Sequence, residues 1–394
     1  MQNIARELSD QLLHAARNFP AVVLTGPRRS GKTWLLRHLL PRASYALLED
    51  PDVIGRVRAD PQGFLDDLSL PAILDEVQHT PELLPHIRSR IDRAPRRTGQ
   101  WLVTGSQEAP LMHRVTESMA GRAAVLQLLP MSRREHDRVS VWRGGFPEVL
   151  ARPGAAALWF ASYIQTYLER DVRTVLAVRD LATYRRFIAL LATRHGQALN
   201  KSDLAAPLGV SVPTIAQWLS VLETTGQILV VPPFFENAGK RLIKSPKIYL
   251  SDSGLACHLL GIESERELAR SPFAGALLEG FVAAEIAKAQ LNRGQRRELY
   301  YFRDQQGLEV DLLVPGKSGA LTLVEVKATR TPTPADAAPM QRLAQALGKS
   351  GGRKRDLRLL VVHQRSTHAM QMRTLVPDVQ ALTVEDFVRD PLLA

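Results

Sequence analysis

Gly26-Pro27-Arg28-Arg29-Ser30-Gly31-Lys32-Thr33 follows the apolar run AVVLTG (21–26) and leads into a helical pattern over 32–40. The spacing is G-x4-G-K-[ST], and a strand before it with a helix after it is the context that makes the pattern specific. Glycines let the backbone curl so that consecutive N–H groups face a phosphate. The helix starting near Gly31 adds the positive end of its dipole. Lys32 is placed to reach the β- and γ-phosphates, and Thr33 to offer its hydroxyl to Mg²⁺. A chance match in a glycine-rich turn is the competing account, and the flanks argue against it.

Downstream, Ala72-Ile73-Leu74 runs straight into Asp75-Glu76. A buried strand ending in two acids calls for a cation or water at its carboxyl end. Asp75 is expected in the Mg²⁺ shell and Glu76 beside the attacking water. Further strands are read at 44–50, 100–106 and 123–129. Strands alternating with helices predict an α/β fold with a parallel sheet covered on both faces. If the 100–106 strand neighbours the one ending at Asp75, Ser106 sits close to the γ-phosphate; a plain turn is the alternative. Arg122 and Arg170 are candidates for an arginine that meets the γ-phosphate in cis or from another subunit. A solvated arginine or a structural ion pair explains either one equally well.

In order along the chain, GPRRSGKT, ILDEVQ, LVTGSQ, SMAGR with LLPMSRREH, and GGFPE followed by YIQTYLERDV resemble a group of prokaryotic AAA-type ATPases. In that group the ATPase is fused to a carboxy-terminal domain of unknown function. LLEGFVAAEI, YYFRD, LEVDLLV and LVEVKAT continue the resemblance through nearly the whole chain. It implies an ATPase, a winged-helix segment and a restriction-endonuclease-like, PD-(D/E)XK, carboxy-terminal fold. The expected division is an AAA-type P-loop domain over 1–150, a helical linker and winged helix-turn-helix over 151–260, and the nuclease-like domain over 261–394.

KSDLAAPLGVSVPTIAQWLSVLETT (201–225) gives a helix, a turn at Leu208-Gly209 and a second helix capped by Ser211, the pattern of a helix-turn-helix. Residues 228–231 and 247–250 pair as a wing. In a DNA reader Ser211, Thr214 and Gln217 would face the groove, and Lys240, Arg241, Lys244 and Lys247 would meet phosphates. Such modules also serve as packing or protein-contact surfaces. Trp218 and Leu219 are core on either reading.

LEVDLLV (308–314) and LTLVEVK (321–327) read as a hairpin, with Glu325 and Lys327 on one face and Asp311 beside Glu325. Adjacent like charges need compensation, and a second divalent metal would supply it, with Lys327 at the attacked phosphate. Glu285, on a helix read as amphipathic over 277–291, is the expected third carboxylate; Glu279 competes with it. An exposed Glu325–Lys327 ion pair is the bland alternative. A strand at 357–363 is read as the last.

The 394 residues suit two to four domains, and 45% hydrophobic with 23% charged residues excludes collagen-like, disordered and disulfide-stapled classes. The single Cys257 forms no internal disulfide and points to a reducing, cytoplasmic setting. No apolar run has membrane-spanning length, and the amino terminus lacks the apolar segment of a signal peptide. Fifty-one basic against 40 acidic residues give a net charge of +11, which suits a polyanion such as DNA without requiring one. His195 reads as a surface residue. The expected ligands are ATP and Mg²⁺, with no membrane partner and with DNA and a homo-oligomer (ring or dimer) as partners. Three classes compete: an ATP-driven DNA-processing enzyme, an ATP-controlled DNA-binding regulator with an inactive nuclease-like scaffold, and a protein-remodelling ATPase without nucleic acid.

Overall fold

The computed structural model describes residues 5–105, 119–168, 180–234, 245–349, 356–364 and 374–393. The amino-terminal layer is a parallel five-stranded sheet with the order β2-β3-β4-β1-β5. Its strands are β1 (Ala21–Thr25), β2 (Ser44–Leu47), β3 (Ala72–Asp75), β4 (Trp101–Thr104) and β5 (Ala123–Gln127). Val22, Leu24, Ile73 and Leu102 turn to one face, against Leu8, Leu12, Leu35 and Leu36. Ala21, Val23, Leu74 and Val103 turn to the other, against Leu84, Ile87 and Ile91. With both faces covered, the inner strands are apolar throughout rather than alternating. Because β1 lies inside the sheet, the segment 26–31 leaves it at the carboxyl edge with β4 and β5 next door and β3 one strand beyond β4.

The middle of the chain packs Phe146, Phe160, Tyr163, Tyr184, Phe187 and Trp218 into one core. Its Lys201–Leu208 and Val212–Thr224 helices cross at 112°. Gly209 makes the turn with a φ of 66°, a left-handed conformation that favours glycine. Ser211 caps the second helix by accepting from the Thr214 N–H at 3.2 Å. Trp218 and Leu219 are buried, as their spacing predicts. β7 (Ile228–Val231) and β6 (Gln197–Ala198) pair antiparallel with opposite edges of β8 (Lys247–Leu250).

The carboxy-terminal part is a mixed six-stranded sheet, ordered β13-β14-β12-β11-β10-β9. Its strands are β9 (Tyr300–Arg303), β10 (Glu309–Pro315), β11 (Leu321–Lys327), β12 (Leu357–His363), β13 (Thr374–Val376) and β14 (Val379–Thr383). β12 is therefore not the last strand; β14 pairs beside it and β13 beyond. The Ala274–Asn292 helix covers one face, through Leu312, Val324 and Leu360. The Pro334–Lys349 helix covers the other, through Leu313, Leu323 and Leu359.

The Ala274–Asn292 helix is not amphipathic. It is buried on nearly every side from Leu277 to Gln290, because its other flank faces the loop after β5, where Lys288 donates to the Met131 carbonyl at 3.0 Å. A helix enclosed by two bodies has no polar stripe. The middle and carboxy-terminal sheets also join edge to edge: Pro233 bridges Tyr301, and the Phe234 N–H donates to the Tyr301 carbonyl at 2.7 Å.

His195 is buried at 1% exposure rather than at the surface. Its Nδ1 accepts from the Leu250 N–H at 3.1 Å, and burial pushes its pKa down to about 4. The ring lies against Gly280, where a Cβ would overlap Nε2. Gly→Ala in a helix ordinarily stabilises by about 1 kcal/mol. Here Gly280→Ala is expected to reverse that sign and destabilise by about 1–3 kcal/mol through overpacking, read as a lower urea midpoint; a raised midpoint would contradict the packing.

Candidate functional site

The phosphate loop is shaped by close packing at its glycines and by side chains that occupy its carbonyls. Gly26 has a φ of 138° and passes so close to Leu128 that a Cβ would overlap that residue's carbonyl oxygen. Gly31 has a φ of 97° and opens the Lys32–Leu39 helix. Arg29 also takes a positive φ, 62°. Arg6 reaches the loop from outside. Its guanidinium donates to the Ser30 carbonyl and the Leu129 carbonyl, each at 2.7 Å, and to Glu135 Oε1 at 2.8 Å. Lys32 Nζ donates to the carbonyls of Gly26 and Pro27 at 3.0 Å. A phosphate would draw the ammonium off those carbonyls. Arg28 is buried, and Arg29 lies 3.6 Å from Glu148.

Asp75 and Thr33 meet as the spacing predicts. Thr33 Oγ1 lies 2.9 Å from Asp75 Oδ2, and Tyr45 donates its hydroxyl to the same oxygen at 2.8 Å. Thr104 donates to Asp75 Oδ1. A hydroxyl and a carboxylate side by side at the loop's end are the hard oxygen donors that Mg²⁺ takes. Glu76 stands in a left-handed conformation, φ 59°, with its N–H donating to Thr104 Oγ1 at 3.1 Å. Gln78 donates to its carboxylate, and Arg28 lies 3.9 Å away. Burial pushes the Glu76 carboxyl up, but Lys32, Gln78 and Arg28 outweigh it and hold the pKa below the usual range. The group is therefore an ionised acceptor.

Sequence reasoning missed Arg6 and Tyr45. Neither belongs to a motif; β2 brings Tyr45 alongside β3, and Arg6 arrives from the segment before the first helix. Arg122 forms an ion pair with Asp92, 2.5 Å away on the Leu83–Arg93 helix, the contact that the structural alternative expects. β4 does pair with β3, but Ser106 itself lies outside the described residues, as do Arg170, Lys240, Arg241 and Lys244. Ser211 and Gln217 are exposed, and Thr214 is hydrogen-bonded to Ser211.

Lys247 corrects an expectation. It is buried at 2% exposure and cannot meet a nucleic-acid phosphate. Its Nζ lies 2.8 Å from Glu279, 2.7 Å from Glu309 and 3.7 Å from Asp311. Desolvation disfavours its charge, yet the surrounding carboxylates outweigh that and raise its pKa.

Glu285 is not part of this cluster. It accepts from the Arg133 N–H and from Lys288 on the flank facing the first sheet. Glu279, earlier on the helix, joins Asp311 instead. The reason is helix geometry: six residues apart, the two glutamates leave the axis about 120° away from each other at 3.6 residues per turn. Lys327 pairs with Glu325 at 2.7 Å, and Asp311 Oδ2 accepts from the Val326 N–H at 2.8 Å. Burial, then the charge of Asp311, raises Glu279 to about 7 and Glu325 to about 8. A cavity of about 520 Å³ opens beside them, with Pro339 and Arg342 on its far wall.

Three family models match in succession: an AAA domain over residues 18–136, a domain of unknown function (DUF8612) over 135–266, and a second one (DUF4143) over 274–377. Two relatives are Uncharacterized protein Rv2008c of Mycobacterium tuberculosis and Uncharacterized protein Mb2031c of Mycobacterium bovis. Each is 36% identical over 336 residues, covering 83% of this chain and 75% of the relative. Among solved structures, the Walker-type ATPase paby2304 of Pyrococcus abyssi is 18% identical, covers 64% of this chain and 94% of its own, and superposes with a TM-score of 0.39. AMPPCP-bound DnaA from Aquifex aeolicus is 11% identical over 55% and 85%, with a TM-score of 0.25. At such scores these likenesses carry no argument.

Two outcomes follow from the geometry. Arg6→Lys keeps a charge beside Glu135 but cannot span all three acceptors, so ATP affinity measured by calorimetry is expected to fall about tenfold, or about 1.4 kcal/mol; unchanged affinity contradicts the anchoring role. Glu279 and Glu325 have folded-state pKa values above those of the unfolded chain. Their contribution to stability is complete below about pH 4 and is lost as pH rises through about 7 and 8. Urea midpoints are expected to fall over that range, and Glu325→Gln to flatten the fall.

Proposed function

Because the chain belongs to the family of the two mycobacterial proteins and its residues 18–136 match an AAA domain, we propose that it is a Mg²⁺-dependent ATP hydrolase whose nucleotide state controls a winged helix-turn-helix. The observation that carries this reading is the meeting of Thr33 and Asp75 at the end of the glycine-bounded loop. Thr33 and Asp75 would hold Mg²⁺, which neutralises phosphate charge when bound. Loop amides and Lys32 bind the phosphates. Glu76 orients the attacking water, and its held ionisation suits an acceptor of that water's hydrogen bond.

Control of the middle module is supported by direct contact. Tyr163 donates its hydroxyl to the Arg28 carbonyl at 3.4 Å, and Gln227 donates to Tyr163 at 2.8 Å. Gly226, just before β7, packs against Pro27 so closely that a Cβ would come within 3.1 Å of its ring. A loop that reshapes around phosphate therefore pushes on the base of the wing. The 112° helix crossing and the three-stranded hairpin sheet support the winged-helix assignment. The mixed sheet between two helices supports a restriction-endonuclease-like body.

DNA is the partner we assign to the module, on the strength of the +11 charge and the exposed helix start at Ser211 and Gln217. A protein partner is the second reading. It is favoured by the described outer face of the Val212–Thr224 helix, which carries Gln217, Ser220 and Glu223 and no cation.

An ATPase assay with and without duplex DNA tests this function. Lys32→Ala is expected to lower turnover at least a hundredfold, and Glu76→Gln to keep ATP binding while losing hydrolysis. Unchanged turnover in Lys32→Ala overturns the site. Duplex binding that weakens steeply with salt supports DNA, because phosphate contacts release counterions; salt-independent or absent binding moves the assignment to a protein partner.

A further inference from the structure

The D…E-x-K pattern leads one to expect a metal at the carboxy-terminal carboxylates, and the residues around them do not fit one. We propose that Lys247 stands where a divalent cation would, making this site a lysine-filled ionic joint between β8 and the carboxy-terminal sheet rather than a metal-dependent cleavage centre. The inference does not depend on the ATP site.

The ammonium has three N–H donors, and three carboxylates from two elements surround it: Glu279 at 2.8 Å, Glu309 at 2.7 Å and Asp311 at 3.7 Å. Its stem passes over the Tyr301 ring, with Nζ 5.4 Å from the centroid. A divalent cation demands about six oxygens at roughly 2.0–2.6 Å, drawn here from the same carboxylates. Oxygens already gathered 2.7–2.8 Å from a nitrogen leave no room for a second positive centre among them.

Other oxygens of the cluster already accept hydrogen bonds. Asp311 Oδ2 takes the Val326 N–H, and Glu325 Oε1 takes Lys327. Glu325 Oε2 is buried without a partner, and this oxygen alone does not satisfy such an ion. Among the described residues, no group of three or more His, Cys, Asp or Glu is arranged to hold a metal ion.

The lysine is also fixed in place. β8 is the middle strand of its sheet, and Lys247 is paired with Val231 on one side and Ala198 on the other. Two residues earlier, the Ser245 carbonyl accepts from the Tyr301 hydroxyl. The backbone that carries the lysine is thus held on both sides, and its side chain is 2% exposed.

Mn²⁺ titrated into the nucleotide-free full chain, with free ion counted by electron paramagnetic resonance, tests the assignment. The parent chain is expected to take up no ion that depends on Asp311. Lys247→Met keeps the stem and removes the charge; it is expected to gain one ion per chain and to lose it again with Asp311→Asn added. One ion per parent chain that disappears in Asp311→Asn overturns the proposal, as does a folded Lys247→Met that takes up none. An ion that ignores Asp311→Asn but disappears with Asp75→Asn belongs to the nucleotide site and leaves the joint filled as proposed. If Lys247→Met does not fold, the comparison of parent with Asp311→Asn decides alone.

Discussion

A phosphate loop works only if its N–H groups are left over, and that requires its carbonyls to be satisfied from elsewhere. This chain meets the requirement with two side chains from distant segments and the loop's own lysine. Arg6 holds the Ser30 carbonyl, Lys32 turns back on those of Gly26 and Pro27, and Tyr163 reaches that of Arg28. Each contact occupies a loop carbonyl, so that the loop amides need not turn to satisfy it. A buried carbonyl without a partner costs on the order of 1–3 kcal/mol, so the loop's shape rests in part on Arg6 and Tyr163, which no loop motif contains. The same contacts tie the nucleotide site to the amino-terminal segment and to the middle module.

The long Ala274–Asn292 helix extends this logic. One flank carries Glu285 and Lys288, which satisfy each other and two backbone groups of the 131–133 turn. That turn follows Leu129, whose carbonyl Arg6 also holds. The other flank carries Glu279 into the carboxylate cluster. Buried ion pairs contribute little net stability but are costly to break singly. Their effect here is to fix the helix's rotation, so that its glutamates reach different bodies and cannot exchange roles.

These placements explain what the sequence disclosed and what it did not. The loop, the Asp75–Glu76 strand end and the Ser211 cap are local: each is read from residues close in the chain, and each appears where its spacing puts it. Trp218 and Leu219 were legible as core from helical periodicity. The failures are residues whose environment comes from far away. Lys247 looked like a wing cation because hairpin tips are exposed; it is buried because β9 and β10 pack on that end of β8. His195 ends a helix, a surface position by default, until Gly280 closes over it. The Ala274–Asn292 helix reads as one apolar stripe only when a single neighbour is assumed. The choice between Glu279 and Glu285 turned on helix rotation, which the pattern of apolar residues does not fix once the helix is buried all round.

The carboxylate cluster makes the same point about inference from motifs. A pair of carboxylates on adjacent strands states a physical demand, that some positive charge must sit beside them, and leaves its source open. A metal, a lysine of the same strand and a lysine of another sheet all answer it. Lys327 answers it for Glu325, and Lys247 answers it for Glu279, Glu309 and Asp311. The motif alone could not choose among these, because the deciding cation lies on a strand that enters the site only after the middle and carboxy-terminal sheets have joined through Pro233 and Tyr301. The joint then has two consequences at once: it sets a positive charge among the acids that the D…E-x-K pattern brings together, and it ties the middle module to the carboxy-terminal sheet. On the proposed function, any movement passed from the phosphate loop through Tyr163 and Gln227 would be taken up between the two ends of β7 and β8, with Gly226 at the phosphate-loop end and Lys247 at the other.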